Sequence, residues 1–525
     1  MSVTGPVLAA AGFDVQVPPL SRRRPSPAMR MFADAIPRQT AVGAQQLCQV
    51  RWSVVFDDVE LNAADIAKLA AEARPLVKSR GRWIELDHAD LQEAAAALAE
   101  RALSTELSGA AVLRHALGLE SSILSGPVTV DGSGWAADLL RATAEPLGAV
   151  AEPEGFRGKL REYQAQSLGW LGFLDSAGLG GCLALDMGLG KTPTVLAHLL
   201  ASRGGGPALV ITPPAVLGNW AAEARRFSPD LKIVTHHGPG RAEGEALAKL
   251  VTRNDVLLTT YGTAVRDVDD LAGVDWARII VDEAQTIKNP ASDAAQALRR
   301  LPARSRLALT GTPIENGLGD LWAILDFANP GLVGTRPAFI SQLSRTSDGP
   351  ESAGENALRA LNGLLVFRRT KAEPAIAAEL PDRIDQLDQC SLTQEQIGLY
   401  QAVLDKLVTG AALESGEEPR KGQVLAAITA LKQICNHPNA YLNADSGEGL
   451  VLDGRSGKLT RLDEIVDAVF AAGERVLIFT HFARWGEQLA RYLSKRTSHH
   501  VACYHGGLAT GVRDRLVREF QEGHG

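Results

Sequence analysis

The chain has 525 residues, 45% hydrophobic and 22% charged, with a net charge of −7 and five cysteines. These are ordinary figures for folded protein, with room for about three or four domains at roughly 100–200 residues each. They exclude wholesale disorder and a collagen-like repeat, and any strip that contacts nucleic-acid phosphate must be built against an acidic mean.

The first 40 residues are rich in Pro and Arg (PPLSRRRPSP), which reads as a flexible arm. In it Arg22, Arg23 and Arg24 are either a solvated run or a phosphate-contacting one. From about 41 to 145 a small α+β module is expected. RWSVVFDD and GRWIELD have strand composition. NAADIAKLAAEARPLV and ADLQEAAAALAERAL have helical spacing, with Asn62 as N-cap of the former. Between about 150 and 335 apolar strands alternate with amphipathic helices. CLALD, ALVITP, DVLLTTY, RIIVDEA and RLALTGT are the strand candidates. That rhythm predicts an α/β fold with a parallel sheet, whose ligands bind beyond the carboxyl ends of the strands. Residues 336–455 read as mostly helical (TQEQIGLYQAVLDKLV, GQVLAAITALKQICNHP), with an acidic loop around 411–422. From 456 a second α/β run begins, with VLIFTHF and HHVACYHG as strands and WGEQLARYLSK and VRDRLVREFQE as helices. Two strands and two helices are too few to bury both faces of a parallel sheet.

The cysteines, Cys48, Cys182, Cys390, Cys435 and Cys503, are far apart and form no C-x-x-C, so neither a disulfide framework nor a cysteine zinc site is expected. No apolar run approaches the roughly 18–20 residues of a membrane span. The N-terminal MSVTGPVLAAAGFDV lacks the basic start and apolar core of a signal peptide. A cytoplasmic protein is the expectation, and the excess of Arg over Lys with abundant Ala suggests a high-GC bacterial genome.

Four segments carry chemistry. In LALDMGLGKTPTVLAHLL a strand runs through a Gly-rich turn into a helix. Gly188 and Gly190 let backbone N–H groups of Leu185, Asp186, Met187, Leu189 and their neighbours approach phosphate, Lys191 reaches the β- and γ-phosphates, and Thr192 holds Mg²⁺. The strict G-x-x-x-x-G-K-[ST] pattern asks for Gly where this chain has Leu185. In RIIVDEAQTIKN an apolar strand ends in paired carboxylates: Asp282 to orient Mg²⁺ and Glu283 to polarise the attacking water. Alone such a pair is often a solvated strand end; about 90 residues after a phosphate loop it gains weight. LALTGTPIEN places Thr310, Gly311 and Thr312 at another strand end, where an ordinary turn would look the same. LREYQAQSLGWL offers Arg161, Tyr163 and Gln164 either to an adenine edge or as polar positions on a core helix.

In this order the segments resemble helicase superfamily two and, within it, the Swi/Snf branch of duplex-DNA translocases and remodelling ATPases. DMGLGKT, ITPPAVLGNW, LLTTYGT, DEAQTIKN, LTGTPIEN, FRRTK, LKQICNHP, SGKL, VLIFTHF and YHGGL all match in sequence, over about 155–525. The module around 41–110, with KSRGRWIELD, resembles the domain found upstream in bacterial members. The resemblance implies two RecA-like lobes clamping ATP and Mg²⁺ and tracking one strand of double-stranded DNA, with sequence-nonspecific phosphate contacts and a nucleoid-associated location. It implies that Gln164 reads adenine, that Thr310–Thr312 couple hydrolysis to movement, and that Gln285 bridges to them. ITPPAVLGNW, TTYGT and VLIFTHF match DNA-tracking motifs. The family's Gly-rich coupling segment and its arginine-finger segment have no counterpart before Gly525; Arg513, Arg515 and Arg518 lie on the helix after YHGG and do not match the latter. This chain is therefore expected to bind ATP and hydrolyse it poorly. Its 456–525 region is expected to be an incomplete second lobe, and an ATP- and DNA-binding adaptor stands as the alternative to a DNA-dependent ATPase. A phosphate-loop ATPase acting on protein is the third reading.

Overall fold

The computed structural model describes residues 27–36, 43–72, 75–79, 82–101, 105–120, 124, 128–143, 148–344, 353–381, 384–413, 421–442 and 451–523. They form two compact units, one running through Leu380 and one from Pro381 onward.

The first unit opens with the α+β module. Its strands are β1 (Pro27–Ala35), β2 (Leu47–Phe56), β3 (Val59–Leu61), β4 (Leu76–Ser79), β5 (Arg82–Glu85), β6 (Glu106–Ser108) and β7 (Thr129–Asp131). One sheet has the order β3-β2-β1-β7 with β6 on β2; β4 and β5 form a separate hairpin. β1 corrects the expectation of a flexible arm to residue 40: Met29, Met31 and Ala33 alternate into the core. That period of two is the signature of a half-buried strand, and the Pro and Arg around it hid it. Arg22, Arg23 and Arg24 lie outside the described residues. The Asn62 cap is present: its side chain accepts from Asp65 N at 3.0 Å, and the Asp65 carboxylate accepts from Asn62 N at 3.2 Å. The helix it starts ends at Ala70, and the expected helical run beyond Pro75 is β4 instead.

The α/β part holds β8 (Gly181–Leu185), β9 (Ala208–Thr212), β10 (Ile233–His236), β11 (Val256–Thr260), β12 (Trp276–Val281), β13 (Ala303–Leu309) and β14 (Val366–Arg369). All pair in parallel, in the order β10-β11-β9-β12-β13-β8-β14. Strands β8, β9 and β11 are buried at every residue, as a sheet covered on both faces requires. The five strands read from the sequence are all present and β10 and β14 flank them. β14 is one strand within the 336–455 stretch read as mostly helical, and it carries the lobe past the expected end near 335. Val366↔Cys182 through Arg369↔Leu185 add it beside β8, and the unit continues to Leu380. A four-residue strand that is half arginine is a blunted edge, with little apolar pattern to reveal it.

The α+β module docks at the amino edge of this sheet. Trp135 Nε1 donates to Ala177 O at 2.9 Å, at the end of the helix Glu162–Ala177 that leads into β8, and Arg114 Nη1 reaches Leu332 O at 3.5 Å.

The second unit is built of helices Gln394–Leu413, Lys421–Asn436, Pro438–Leu442, Gly457–Ala471, Ala483–Thr497 and Thr510–Gln521. Of the acidic loop, residues 414–420 lie outside the described residues. Leu452, Leu459, Val466, Trp485, Leu489 and Leu493 form its core, and the His437 ring stacks on Trp485 with centroids 4.9 Å apart. The strands expected at VLIFTHF and HHVACYHG are not formed. A strand exists only within a ladder, and among the described residues neither segment has one. The alternation survives without it: Val476, Ile478 and Val501 pack on the core, while Leu477 is 63% and Phe479 89% exposed. Among the described residues no helix is long and apolar enough to cross a membrane.

Candidate nucleotide site

The sheet order sets β12, β13 and β8 side by side, so the acidic pair, the Thr-Gly-Thr turn and the phosphate loop meet at neighbouring carboxyl ends. The loop turns through Gly188 (φ 84°) and Gly190 (φ 78°), both left-handed, and the helix Lys191–Ala201 starts on Gly190. Leu185 stands where the strict motif has glycine, and its place is harmless: its side chain is buried as the last residue of β8 and its carbonyl accepts from Lys191 Nζ at 2.9 Å. Leu189 is buried beneath the loop, while Met187 is exposed at its lip, near Gly311. Burial lowers the Lys191 pKa, opposed by the carboxylates of Glu283, Asp282 and Asp186. Thr192 is half-buried on the first turn of the helix.

Gln164 lies under the loop. Its Nε2 donates to Leu189 O at 3.0 Å and its Oε1 accepts from Arg161 N at 2.9 Å. One N–H and one lone pair of the amide remain.

Asp282 is buried at the end of β12. Its Oδ2 accepts from Trp220 Nε1 at 2.8 Å and Thr212 Oγ1 at 3.4 Å, and its Oδ1 from Glu283 N at 2.9 Å. Burial raises its pKa, against the Trp220 hydrogen bond and with help from the neighbouring Glu283 charge. Tyr261 donates its hydroxyl to the Asp282 carbonyl at 2.6 Å. Glu283 has φ 50°, a left-handed backbone that costs a non-glycine residue about 1–2 kcal/mol. Such strain is concentrated at functional sites. Gln285 Nε2 donates to Glu283 Oε2 at 2.7 Å, Thr310 Oγ1 donates to Gln285 Oε1 at 3.2 Å, and Thr312 N donates to Thr310 Oγ1 at 3.1 Å. Gln285 thus joins the acidic pair to the turn after β13.

Several residues of the site went unassigned in the sequence. Trp220 and Thr212 hold Asp282, and both sit at or beyond the end of β9, which neighbours β12. Arg368 on β14 donates through Nη2 to Asp186 Oδ1 at 2.8 Å and through Nη1 to Gly311 O at 2.6 Å, joining the phosphate loop to the other turn. Lys288 is buried and pairs with Glu315 at 2.9 Å and Asp320 at 3.3 Å. FRRTK, DEAQTIKN and ITPPAVLGNW all stood out as motifs; a buried cation or indole beside an acidic strand end was the available signal. Further along the carboxyl edge, the Thr260 hydroxyl lies 3.0 Å from that of Thr263 and 3.3 Å from His237 Nδ1, beside the exposed Arg266.

The donor set suits a nucleotide with magnesium. Among the described residues no three His, Cys, Asp or Glu side chains cluster to hold a metal alone. One hydroxyl, Thr192, and one carboxylate, Asp282, beside a phosphate loop are what Mg²⁺ takes when phosphate oxygens and water complete its shell.

The family model described as SNF2-related domain matches residues 163–440. The chain belongs to the SNF2 family. Residues 2–117 match a second family model, DUF3670, described as SNF2 Helicase protein. The Bacillus subtilis (strain 168) protein YwqA, named for ATP-dependent helicase/translocase activity, is 35% identical over 508 residues, covering 92% of this chain and 54% of YwqA. The ISWI chromatin-remodeling complex ATPase ISW2 of Saccharomyces cerevisiae is 32% identical over 358 residues, 65% of this chain and 32% of ISW2. The chain thus spans about half the length of one SNF2 relative and a third of the other. A solved Sulfolobus solfataricus SWI2/SNF2 ATPase core in complex with dsDNA is 36% identical, covers 70% of this chain and 77% of that one, and has a TM-score of 0.41.

Proposed function

We propose that the chain carries the ATP-hydrolysing site of a translocase that moves along double-stranded DNA, converting ATP to ADP and phosphate. The observation that supports this best is the chain of contacts Glu283–Gln285–Thr310–Thr312, which links the carboxylate placed to activate water with the turn placed to report hydrolysis. The names of YwqA, a helicase/translocase, and of ISW2, a remodelling ATPase, agree with it.

The backbone N–H groups of the loop and the first turn of the helix cradle the phosphates, and Lys191 leaves the Leu185 carbonyl to reach them. Thr192 and Asp282 would hold Mg²⁺, which supplies charge neutralisation to the phosphate oxygens when bound. Trp220 and Thr212 keep the Asp282 carboxylate fixed for that task. Glu283 takes the proton of the attacking water on Oε1, since Oε2 is occupied by Gln285. Gln164 offers its remaining N–H and lone pair to adenine. Duplex DNA lies along the ends of β9 and β11, contacted through phosphates and blind to sequence. A nucleoid-associated place in the bacterial cytoplasm follows from that reading.

The test is phosphate release with and without duplex DNA, in a polypeptide that joins this chain to the family's Gly-rich and arginine-finger segments. Duplex should stimulate turnover, less so as salt rises. Glu283→Gln should keep Mg·ATP binding and lose about 10²–10⁴ in rate. Turnover indifferent to DNA, or a Glu283→Gln protein as fast as wild type, would sink the reading.

A further inference from the structure

The segment FRRTK has no role in the mechanism above, yet the structure carries it into the nucleotide site. β14 lies beside β8, and the chain leaving it crosses the phosphate loop. Arg368 is spent on Asp186, Gly311 and the Ala184 carbonyl. The backbone N–H of Lys371 donates to the other Asp186 oxygen, Oδ2, at 2.9 Å. Asp186 therefore has both oxygens engaged without the Lys371 ammonium. That ammonium stands 3.6 Å from the point a Cβ on Gly188 would occupy. Lys371 is exposed, and its Nζ makes no hydrogen bond or ion pair among the described residues.

Two ammonium groups thus stand at one loop, Lys191 at the Leu185 carbonyl and Lys371 at Gly188. Lys191 approaches from the helix and is turned onto the Leu185 carbonyl. Lys371 approaches from β14, with its backbone fixed by Asp186 and its head group uncommitted. A cation held by its own backbone against a loop of phosphate-directed N–H groups loses little freedom on meeting an anion there. We infer that Lys371 is a second phosphate-contacting residue of the nucleotide site, joining Lys191 at the polyphosphate of ATP or ADP. The inference rests on the nucleotide-site reading of the loop. Arg368 is a positioning residue in it: through Asp186 and Gly311 it sets the height of β14 above the loop.

Alanine at 371 isolates the ammonium, because the backbone contact to Asp186 survives the substitution. Mg·ATP and Mg·ADP affinities of the 525-residue chain would be titrated for wild type, Lys371→Ala, Lys371→Arg and Lys191→Ala, at low and high salt, with thermal unfolding as a companion. Lys371→Ala should weaken both nucleotides about three- to tenfold, between an exposed ion pair and a buried charge-assisted bond. Lys371→Arg should bind within about twofold of wild type, as a retained cation requires. The deficit should shrink at high salt, and the melting temperature should hold. A wild type that binds nucleotide, loses it in Lys191→Ala and keeps it fully in Lys371→Ala overturns this inference alone. A deficit that arginine does not rescue and salt does not change, with a lowered melting temperature, also overturns it in favour of a packing role. A wild type that binds no nucleotide overturns the site and the inference together.

Discussion

Gly190→Ala and Gly188→Ala separate backbone strain from steric conflict in one loop. Both glycines are left-handed, at φ 78° and 84°, so an alanine at either costs about 1–2 kcal/mol. Their surroundings differ. A Cβ at Gly188 meets only the far end of Lys371, whereas one at Gly190 overlaps Gln164 Nε2 and comes within 3.3 Å of Pro193 Cγ. Gln164 cannot swing away freely, because Leu189 O and Arg161 N hold its amide at 3.0 and 2.9 Å. Clearing the methyl means abandoning the Leu189 carbonyl in a buried site, about 1–3 kcal/mol more. The expected losses are about 1–2 kcal/mol for Gly188→Ala and about 2–5 kcal/mol for Gly190→Ala. Urea unfolding followed by tryptophan fluorescence reads both. The double variant Gln164→Ala/Gly190→Ala should recover the steric part and leave only the backbone cost, a coupling of about 1–3 kcal/mol. Equal losses at the two glycines, or strict additivity in the double variant, would refute the packing of Gln164 under the loop.

In the α+β module, burial and then the adjacent Arg101 charge push the His115 pKa down to about 4. The unfolded chain binds that proton below about pH 6.5, so stability is complete above that pH and is lost as pH falls toward 4. Between pH 7 and 5 wild type should lose about 2 kcal/mol that His115→Gln does not; parallel stability–pH curves for the two would contradict this. Gln285→Ala cuts the link between Glu283 and Thr310, so in a hydrolysing polypeptide it should leave Mg·ATP affinity intact and reduce DNA stimulation by about tenfold, the worth of a hydrogen bond to a charged group. Unchanged stimulation would show that the link carries nothing.

The legible parts of the fold were those with strong apolar period. β8, β9, β11, β12 and β13 each contain an unbroken apolar stretch of three or more residues followed by Thr or acid, and each was visible. β1 and β14 were not, because arginine and proline dilute their pattern and only pairing with a neighbour makes them strands. The opposite error occurred at VLIFTHF, whose composition is that of a strand but which has no ladder among the described residues. At the site, the phosphate loop, the acidic pair and Gln164 were legible because their chemistry is local in sequence. Trp220, Arg368 and Lys371 were not: they reach the site from β14 and from the segments that follow β9 and β14, strands brought alongside by the sheet order, and no spacing in the chain announces that adjacency.

The central claim is that the loop from Asp186 to Thr192 holds a magnesium nucleotide. Calorimetric titration of ATP into the 525-residue chain, with and without Mg²⁺, tests it directly. The account predicts one metal-dependent site. Lys191→Ala should weaken it about 10- to 150-fold, the roughly 1.5–3 kcal/mol of a charge-assisted hydrogen bond to phosphate. Absence of binding, or binding untouched by Lys191→Ala in a folded protein, would contradict it.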